Sequence, residues 1–312
     1  MSIFLYRDLG YRKVDLLETI LKKFNYIVSS ITLILYCTKQ FNDLINMAKP
    51  FLKWAGGKTQ LIDSIKKSIP TNFQNEQFTY IEPFVGSGAV FFWMLENYPN
   101  MKNAVLNDIN EDLIKCYKSI KNDVNELIVI LKKWELEYHA FQEDVDLRKE
   151  YYYSKRSQYN TRESSQVTQG ALFIFLNRTC FNGLYRVNKS NGYNVPIGSY
   201  KKPQICNKEN LLSVSKALQN VTLLSGDYEE TLQHATSETS RTIFYLDPPY
   251  KPLSETSSFN SYAKGEFNDS EQVRLKDFCH TINDKGFKWV LSNSDMKNTN
   301  PGNDFFDAKI AA

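Results

Sequence analysis

Histidine and paired cysteine are what this sequence has least of. Its three histidines (His139, His234, His280) stand apart from one another, so no metal centre is expected and each reads as a surface or packing residue. The five cysteines (Cys37, Cys116, Cys180, Cys206, Cys279) are odd in number, scattered and free of C-x-x-C spacing. That argues against a disulfide framework and against a zinc site, and it fits a reducing cytoplasm. A membrane-length apolar run is also missing. Tyr26–Cys37 is largely apolar but is broken by Ser29 and Ser30, and it is too short to span a bilayer. It also begins too late, with no small-residue cleavage site behind it, to be a secretory signal. No membrane partner is expected. Internal repeats and low-complexity tracts are absent. A strong charge imbalance is missing as well: a net charge of +3 over 312 residues permits a local basic groove without announcing nucleic acid.

What remains is an ordinary globular composition, 42% hydrophobic and 23% charged. The length allows one large α/β domain with a smaller insert. Residues 1–46 differ in texture from the rest and read as a helical extension or as translated upstream sequence.

From Met47 onward the motifs begin. Phe51-Leu52-Lys53-Trp54-Ala55-Gly56-Gly57-Lys58 is a glycine turn entering a helix, whose stripe is Leu61, Ile62, Ile65 and Ile69 and whose stop is Pro70. The Gly-Gly-Lys lacks the G-x-x-x-x-G-K-[ST] spacing of a phosphate loop. Lys58 is therefore assigned to a carboxylate, and Trp54 to a flat or cationic ligand.

Phe78–Ile81 reads as a strand, followed by Glu82-Pro83-Phe84-Val85-Gly86-Ser87-Gly88 and an apolar helix from Ala89 to Leu95. Such glycines let a backbone approach a ligand, and the helix start favours negative charge. A second apolar run delivers Asp108, 20 residues beyond Gly88, the spacing at which a strand end presents a carboxylate to ribose hydroxyls. The glycine loop alone is equally a plain strand–helix turn. Paired with Asp108 it points to a nucleoside.

Glu111 to about Trp134 is helical, with Leu113, Ile114, Tyr117 and Ile120 on one stripe, and helix continues towards Arg162 without strand alternation. Leu176 to Lys202 is a loop region rich in Gly and Asn, with Arg, Lys and Tyr in alternation. Asn and Arg can read base edges, Lys can neutralise phosphates, and Tyr can stack. The same composition is equally that of a solvated hairpin turning at Asn191-Gly192.

Two more strand ends carry carboxylates. Val221–Leu224 leads to Asp227, suited to the exocyclic amine of an adenine. Thr242–Tyr245 leads to Leu246-Asp247-Pro248-Pro249-Tyr250. There the Asp247 carboxylate and the Pro248 carbonyl can both accept from a planar amine, and Tyr250 can stack on its ring. A loose segment from Pro252 to Phe267 follows. The expected helix after it has Asp269 as N-cap, Gln272 three residues on and Gly286 past its end. A last strand, Phe287–Leu291, leads into Ser292-Asn293-Ser294-Asp295.

In this order the segments resemble the Dam-like (class alpha) DNA adenine-N6 methyltransferases of GATC type. The resemblance covers Met47 to about Asp307. It rests on F-L-K-W-A-G-G-K, E-P-F-V-G-S-G, N-R-x-x-F-N-G-L-x-R…N-V-P-x-G-x-Y and L-D-P-P-Y. It implies an α/β, Rossmann-like methyltransferase sheet, formed by residues 47–110 and 208–312, with a mainly helical DNA-recognition insert at 111–207. It implies S-adenosylmethionine as cofactor, held by Trp54, Lys58, Phe84, Gly86, Asp108, Asp227 and Asp247, and catalysis by Asp247, Pro248 and Tyr250 on an adenine flipped out of double-stranded DNA. For the recognition block, similarity places Lys53 and Tyr200 near one guanine, Leu184 and Pro196 against the thymine and Arg186 on the other guanine, with Asn182 among the DNA contacts. Ser199 stands where some relatives carry Arg, so a phosphate or flanking contact is expected to be lost. A cognate restriction endonuclease is a possible functional partner.

Two departures accompany the resemblance. Residues 1–46 have no counterpart in the family pattern. Relatives continue past Phe305-Phe306-Asp307 with further strands, so a shortened sheet and marginal stability are expected. Two alternatives stay open: an RNA or protein-glutamine methyltransferase with a related motif, and a catalytically impaired DNA-binding remnant.

Overall fold

The computed structural model describes residues 48–54, 61–235, 241–250 and 267–293, all within one compact unit that begins at Ala48. Lys58, the extension at 1–46, the loose segment as far as residue 266 and the chain from Ser294 onward lie outside the described residues.

Five parallel strands form the centre: β1 (Phe78–Glu82), β2 (Met101–Asp108), β3 (Val221–Ser225), β4 (Thr242–Leu246) and β5 (Lys288–Leu291), in the order β3-β2-β1-β4-β5. β1 and β4 are buried along their whole length, which is why both read as unbroken apolar runs and not as alternating ones. The expected Rossmann-like α/β sheet is what is found. Strand order reverses between β1 and β4, so the crevice at their carboxyl ends is the topological switch point where such sheets bind ligands.

Neighbouring residues of each strand face opposite sides of the sheet. Tyr80, Leu106, Ile243 and Tyr245 belong to a core with α2 (Ala89–Asn97), α3 (Glu111–Ala140), α5 (Gln166–Thr179) and α6 (Lys208–Leu218). Ile81, Val105, Phe244 and Leu246 pack instead on α7 (Asp269–Asp284). Helices thus cover both faces. The short α1 (Ile62–Ser68) ends before Pro70 with Ile65 and Ile69 buried, and α4 (Val145–Thr161) packs against α5.

Three local expectations need correction. The helix expected from Glu111 towards Arg162 is two: α3 runs past Trp134 to Ala140 with Tyr138 still on its buried stripe, and α4 starts afresh at Val145 with Asp144 as its cap. Leu176 to Thr179 is not loop but the last turn of α5, a helix buried almost all round. The N-cap of α7 is Asn268, whose side chain accepts from the Ser270 and Glu271 amides, and Asp269 is the first helical residue. No described helix is long and apolar enough to cross a membrane.

Candidate active site and recognition loop

The carboxyl ends of β1, β2, β3 and β4 bring the candidate residues to one edge of the sheet. After β1, Gly86 and Gly88 both take positive φ, +49° and +71°, a region that disfavours any side chain. Trp54 closes over the first of them: a Cβ on Gly86 would lie 2.9 Å from the indole Nε1. Asp108 at the end of β2 accepts from the Gly86 amide at 3.0 Å and the Asn110 amide at 2.9 Å. Burial pushes its carboxyl up to about 6, although both amide bonds pull the other way. Trp54, Gly86 and Asp108 are therefore one assembly.

Asn107, which the sequence reading did not single out, is the tie beneath that assembly. Its side-chain Nδ2 donates to the Pro83 carbonyl at 3.0 Å and the Gly226 carbonyl at 3.1 Å, and the Asn107 main-chain carbonyl accepts from the Val85 amide at 2.8 Å. The loops after β1 and β3 are thus held to the same residue. Phe84 is half-buried and packs on Tyr228, ring centroids 5.2 Å apart. Asp227 is at its expected strand end, but its carboxylate is gripped by Arg274 at 2.7 and 2.8 Å and also accepts from the Glu229 amide. Burial raises that carboxyl, yet the bonds from Arg274 and Glu229 outweigh it and leave it below the ordinary range.

β4 delivers Asp247 half-buried, Pro248 buried and Tyr250 half-buried. Two neighbours brace this turn. Ser292, after β5, donates its amide to the Leu246 carbonyl at 2.8 Å and shares a hydrogen bond with the Tyr245 hydroxyl at 2.9 Å. Gln272 of α7 donates to the Pro249 carbonyl at 3.3 Å while accepting from Asn293 at 2.9 Å. Gln272, read from sequence as a capping partner, thus belongs to the D-P-P-Y turn. On the face of the sheet away from α7, Glu82 accepts from the Tyr80 hydroxyl at 2.8 Å. Burial drives the Glu82 carboxyl well above the usual range, and the nearby charge of Asp247 adds to the rise.

The recognition block hangs from the end of α5. Phe181–Gly183 is a short 3-10 turn with Asn182 exposed at φ 52°. Antiparallel bridges pair Cys180 with Ile197 and Val187 with Tyr193, closing a hairpin whose tip is held by Asn188: its Oδ1 accepts from the Ser190 and Gly192 amides. At the tip it is Asn191, φ 62°, that takes the left-handed conformation. Arg186 is exposed and braced, its Nε donating to Asn194 Oδ1 at 2.7 Å. The Pro196 carbonyl accepts from Phe181, and the Leu184 carbonyl accepts from the Tyr193 hydroxyl. Lys53 Nζ lies 3.8 Å above the Tyr200 ring. Lys53, Asn182, Leu184, Arg186, Pro196 and Tyr200 therefore share one loop system, adjoining Trp54 through its stacking on Tyr185 at 6.0 Å. Among the described residues no group of His, Cys, Asp and Glu could hold a metal ion.

Comparison with known proteins identifies the family. Residues 54–309 match the family described as D12 class N6 adenine-specific DNA methyltransferase. The chain is 48% identical over 249 residues to type II methyltransferase M.MjaIII of Methanocaldococcus jannaschii, covering 79% of this chain and 84% of that protein. Type II methyltransferase M1.LlaDCHI of Lactococcus lactis subsp. cremoris is 39% identical over 253 residues, 79% and 81% of the two chains. A DNA adenine methylase of Vibrio cholerae is 37% identical over 252 residues, 80% and 83%. With the switch-point site, the D-P-P-Y turn and these matches together, the chain belongs to the D12 class of N6 adenine-specific DNA methyltransferases.

Proposed function

We propose that this enzyme methylates the adenine N6 of a GATC site in duplex DNA, using S-adenosylmethionine, with Asp247, Pro248 and Tyr250 as the catalytic residues. The observation that carries the assignment is that the glycine loop after β1 and the D-P-P-Y turn after β4 flank the switch point between β1 and β4. The residues present suit that cofactor. Trp54 packs on Gly86 so closely that only glycine fits there, which brings a flat ring to the glycine loop; Asp108 offers a carboxylate to ribose hydroxyls, and Phe84 adds an aromatic face. When bound, S-adenosylmethionine supplies an electrophilic methyl group on its sulfonium.

The residues then have simple tasks. The amino nitrogen of adenine is a poor nucleophile because its lone pair is delocalised into the ring. Asp247 and the Pro248 carbonyl accept hydrogen bonds from its two N–H groups and so favour a pyramidal nitrogen with a localised lone pair. Tyr250 stacks on the flipped base. Asp247 takes the proton that the nitrogen sheds after methyl transfer. Positioning and electrostatics account for the acceleration, with no covalent enzyme intermediate. Asp227, held by Arg274, contributes an acceptor on the cofactor side, and the resemblance assigns Lys58 to the cofactor as well.

Lys53 and Tyr200 on one guanine, Leu184 and Pro196 on thymine, Arg186 on the second guanine and Asn182 beside them make up the base-reading set. The names of the relatives, type II methyltransferases, support a protective role opposite a restriction endonuclease of the same site. Residues 111–207 serve as the recognition insert on a catalytic portion formed by 47–110 and 208–312. The test is to methylate a GATC duplex and challenge it with methylation-sensitive cleavage, alongside RNA and protein acceptors. Protection of GATC alone is expected. Methyl transfer to RNA or protein but not to the duplex would contradict the proposal.

A further inference from the structure

The last turn of α5 carries a joint between the base-reading and cofactor-side segments. Asn177 is 3% exposed, and its amide serves two distant stretches of chain. Its Oδ1 accepts from the Lys53 amide at 2.8 Å, and its Nδ2 donates to the Lys53 carbonyl at 2.7 Å and the Gly183 carbonyl at 2.9 Å. The next residue, Arg178, donates to the Phe51 carbonyl at 2.6 Å. Gly183 completes the joint: it has φ +65°, and a Cβ there would overlap the Lys53 side chain. Trp54, directly after Lys53, reaches Gly86 of the cofactor loop. A polar side chain serving its own helix bonds within it, as Thr179 does to the Phe175 carbonyl at 2.7 Å. Asn177 instead spends three bonds on the meeting of Lys53 with Gly183.

We propose that Asn177 is a positioning residue that couples the recognition loop to the cofactor segment, so that occupying either site orders the other. The inference rests on the assignment of Lys53 to the DNA side and Trp54 to the cofactor side. Buried carbonyls held by one amide must move together or lose their partner. A ligand that fixes Trp54 therefore fixes Lys53, and through Asn177 it fixes Gly183 and the residues after it. The coupling acts equally in both directions.

The experiment measures duplex affinity with and without S-adenosylhomocysteine, in the unmodified chain and in Asn177→Asp. The substitution keeps an acceptor for the Lys53 amide but removes both donations. In the unmodified chain the factor should be on the order of fivefold or more, with the same factor for S-adenosylhomocysteine when duplex is added. In Asn177→Asp, shown folded by its thermal transition, it should fall close to one while each ligand still binds alone. A purely structural role would lower the melting temperature and leave the factor intact. An unchanged factor in the variant, or a factor of one in the unmodified chain, overturns the proposal. Should the variant not fold, hydrogen exchange on the unmodified chain decides. S-adenosylhomocysteine alone should then slow exchange at 177–184 as well as at 51–54, and protection confined to 51–54 and the glycine loop overturns it. Failure of the unmodified chain to bind either ligand would instead remove the assignment on which the proposal stands, and the proposal with it.

Discussion

The indole of Trp54 lies against Gly86, so close that a Cβ on the glycine would stand 2.9 Å from Nε1. This contact joins the segment before α1 to the loop after β1, the two stretches assigned to the cofactor in the proposed function. Gly86→Ala should displace the indole and also strain a backbone at φ +49°. A left-handed conformation costs a non-glycine residue about 1–2 kcal/mol, which lowers stability in the free and the bound protein alike. The displaced indole is what should weaken the cofactor, so calorimetry with S-adenosylhomocysteine should show lower affinity, and unchanged affinity would separate Gly86 from the cofactor.

Asp108 sets a pH dependence. Its carboxyl is raised to about 6 by burial, so it gains a proton as pH falls through that value and becomes a poorer acceptor for ribose hydroxyls. The KM for S-adenosylmethionine should rise below about pH 6, and Asp108→Asn should abolish that inflection. Stability carries the opposite sign. Because the folded state holds this proton more tightly than the unfolded chain, the residue disfavours folding once ionised, and stability falls as pH rises from about 4 to 6. Thermal unfolding of Asp108→Asn should lack this component. An identical pH dependence in both proteins would contradict the assignment.

Arg186 is braced by Asn194 and exposed at the side of the hairpin, a pre-aimed guanidinium suited to a guanine edge. Arg186→Ala should cost about 1–3 kcal/mol of discrimination at one base pair. Lys201→Ala and Lys202→Ala should instead weaken binding to all duplexes and flatten its salt dependence. Equal losses for cognate and mismatched duplexes in Arg186→Ala would mark a phosphate contact.

Gln272 holds the Pro249 carbonyl and is itself held by Asn293. Gln272→Leu should loosen the turn that aims Asp247, lowering kcat roughly 10- to 100-fold with little change in duplex affinity. Steady-state kinetics with a matched binding measurement separates these effects, and a change in affinity alone would place Gln272 outside the turn's positioning.

The strand ends were the legible part of this molecule. A buried parallel strand is an apolar run that stops at a turn, and Glu82, Asp108, Asp227 and Asp247 each mark such a stop. α5 was harder to see because Val167 and Ala171–Leu176 are buried on every side, so no stripe betrays a helix. α6 does carry a stripe, Leu211, Val214 and Leu218, and periodicity could have found it. The cap of α7 turned on one position, since Asn268 and Asp269 are both good capping residues and only the backbone decides between them. The braces were not legible at all. Asn177 meets Lys53 across 124 residues, and Arg274 meets Asp227 across 47, so nothing in their local sequence announces the partner.

In the proposed mechanism Asp247 at the end of β4 orients an adenine amine for methyl transfer. Nucleoside analysis by mass spectrometry of a GATC duplex incubated with S-adenosylmethionine tests this directly, with the unmodified enzyme beside Asp247→Ala. N6-methyladenine is expected from the unmodified enzyme, and a rate lower by about two orders of magnitude or more in a folded Asp247→Ala. Near-normal turnover in Asp247→Ala, or a methylated base other than N6-methyladenine, would contradict it.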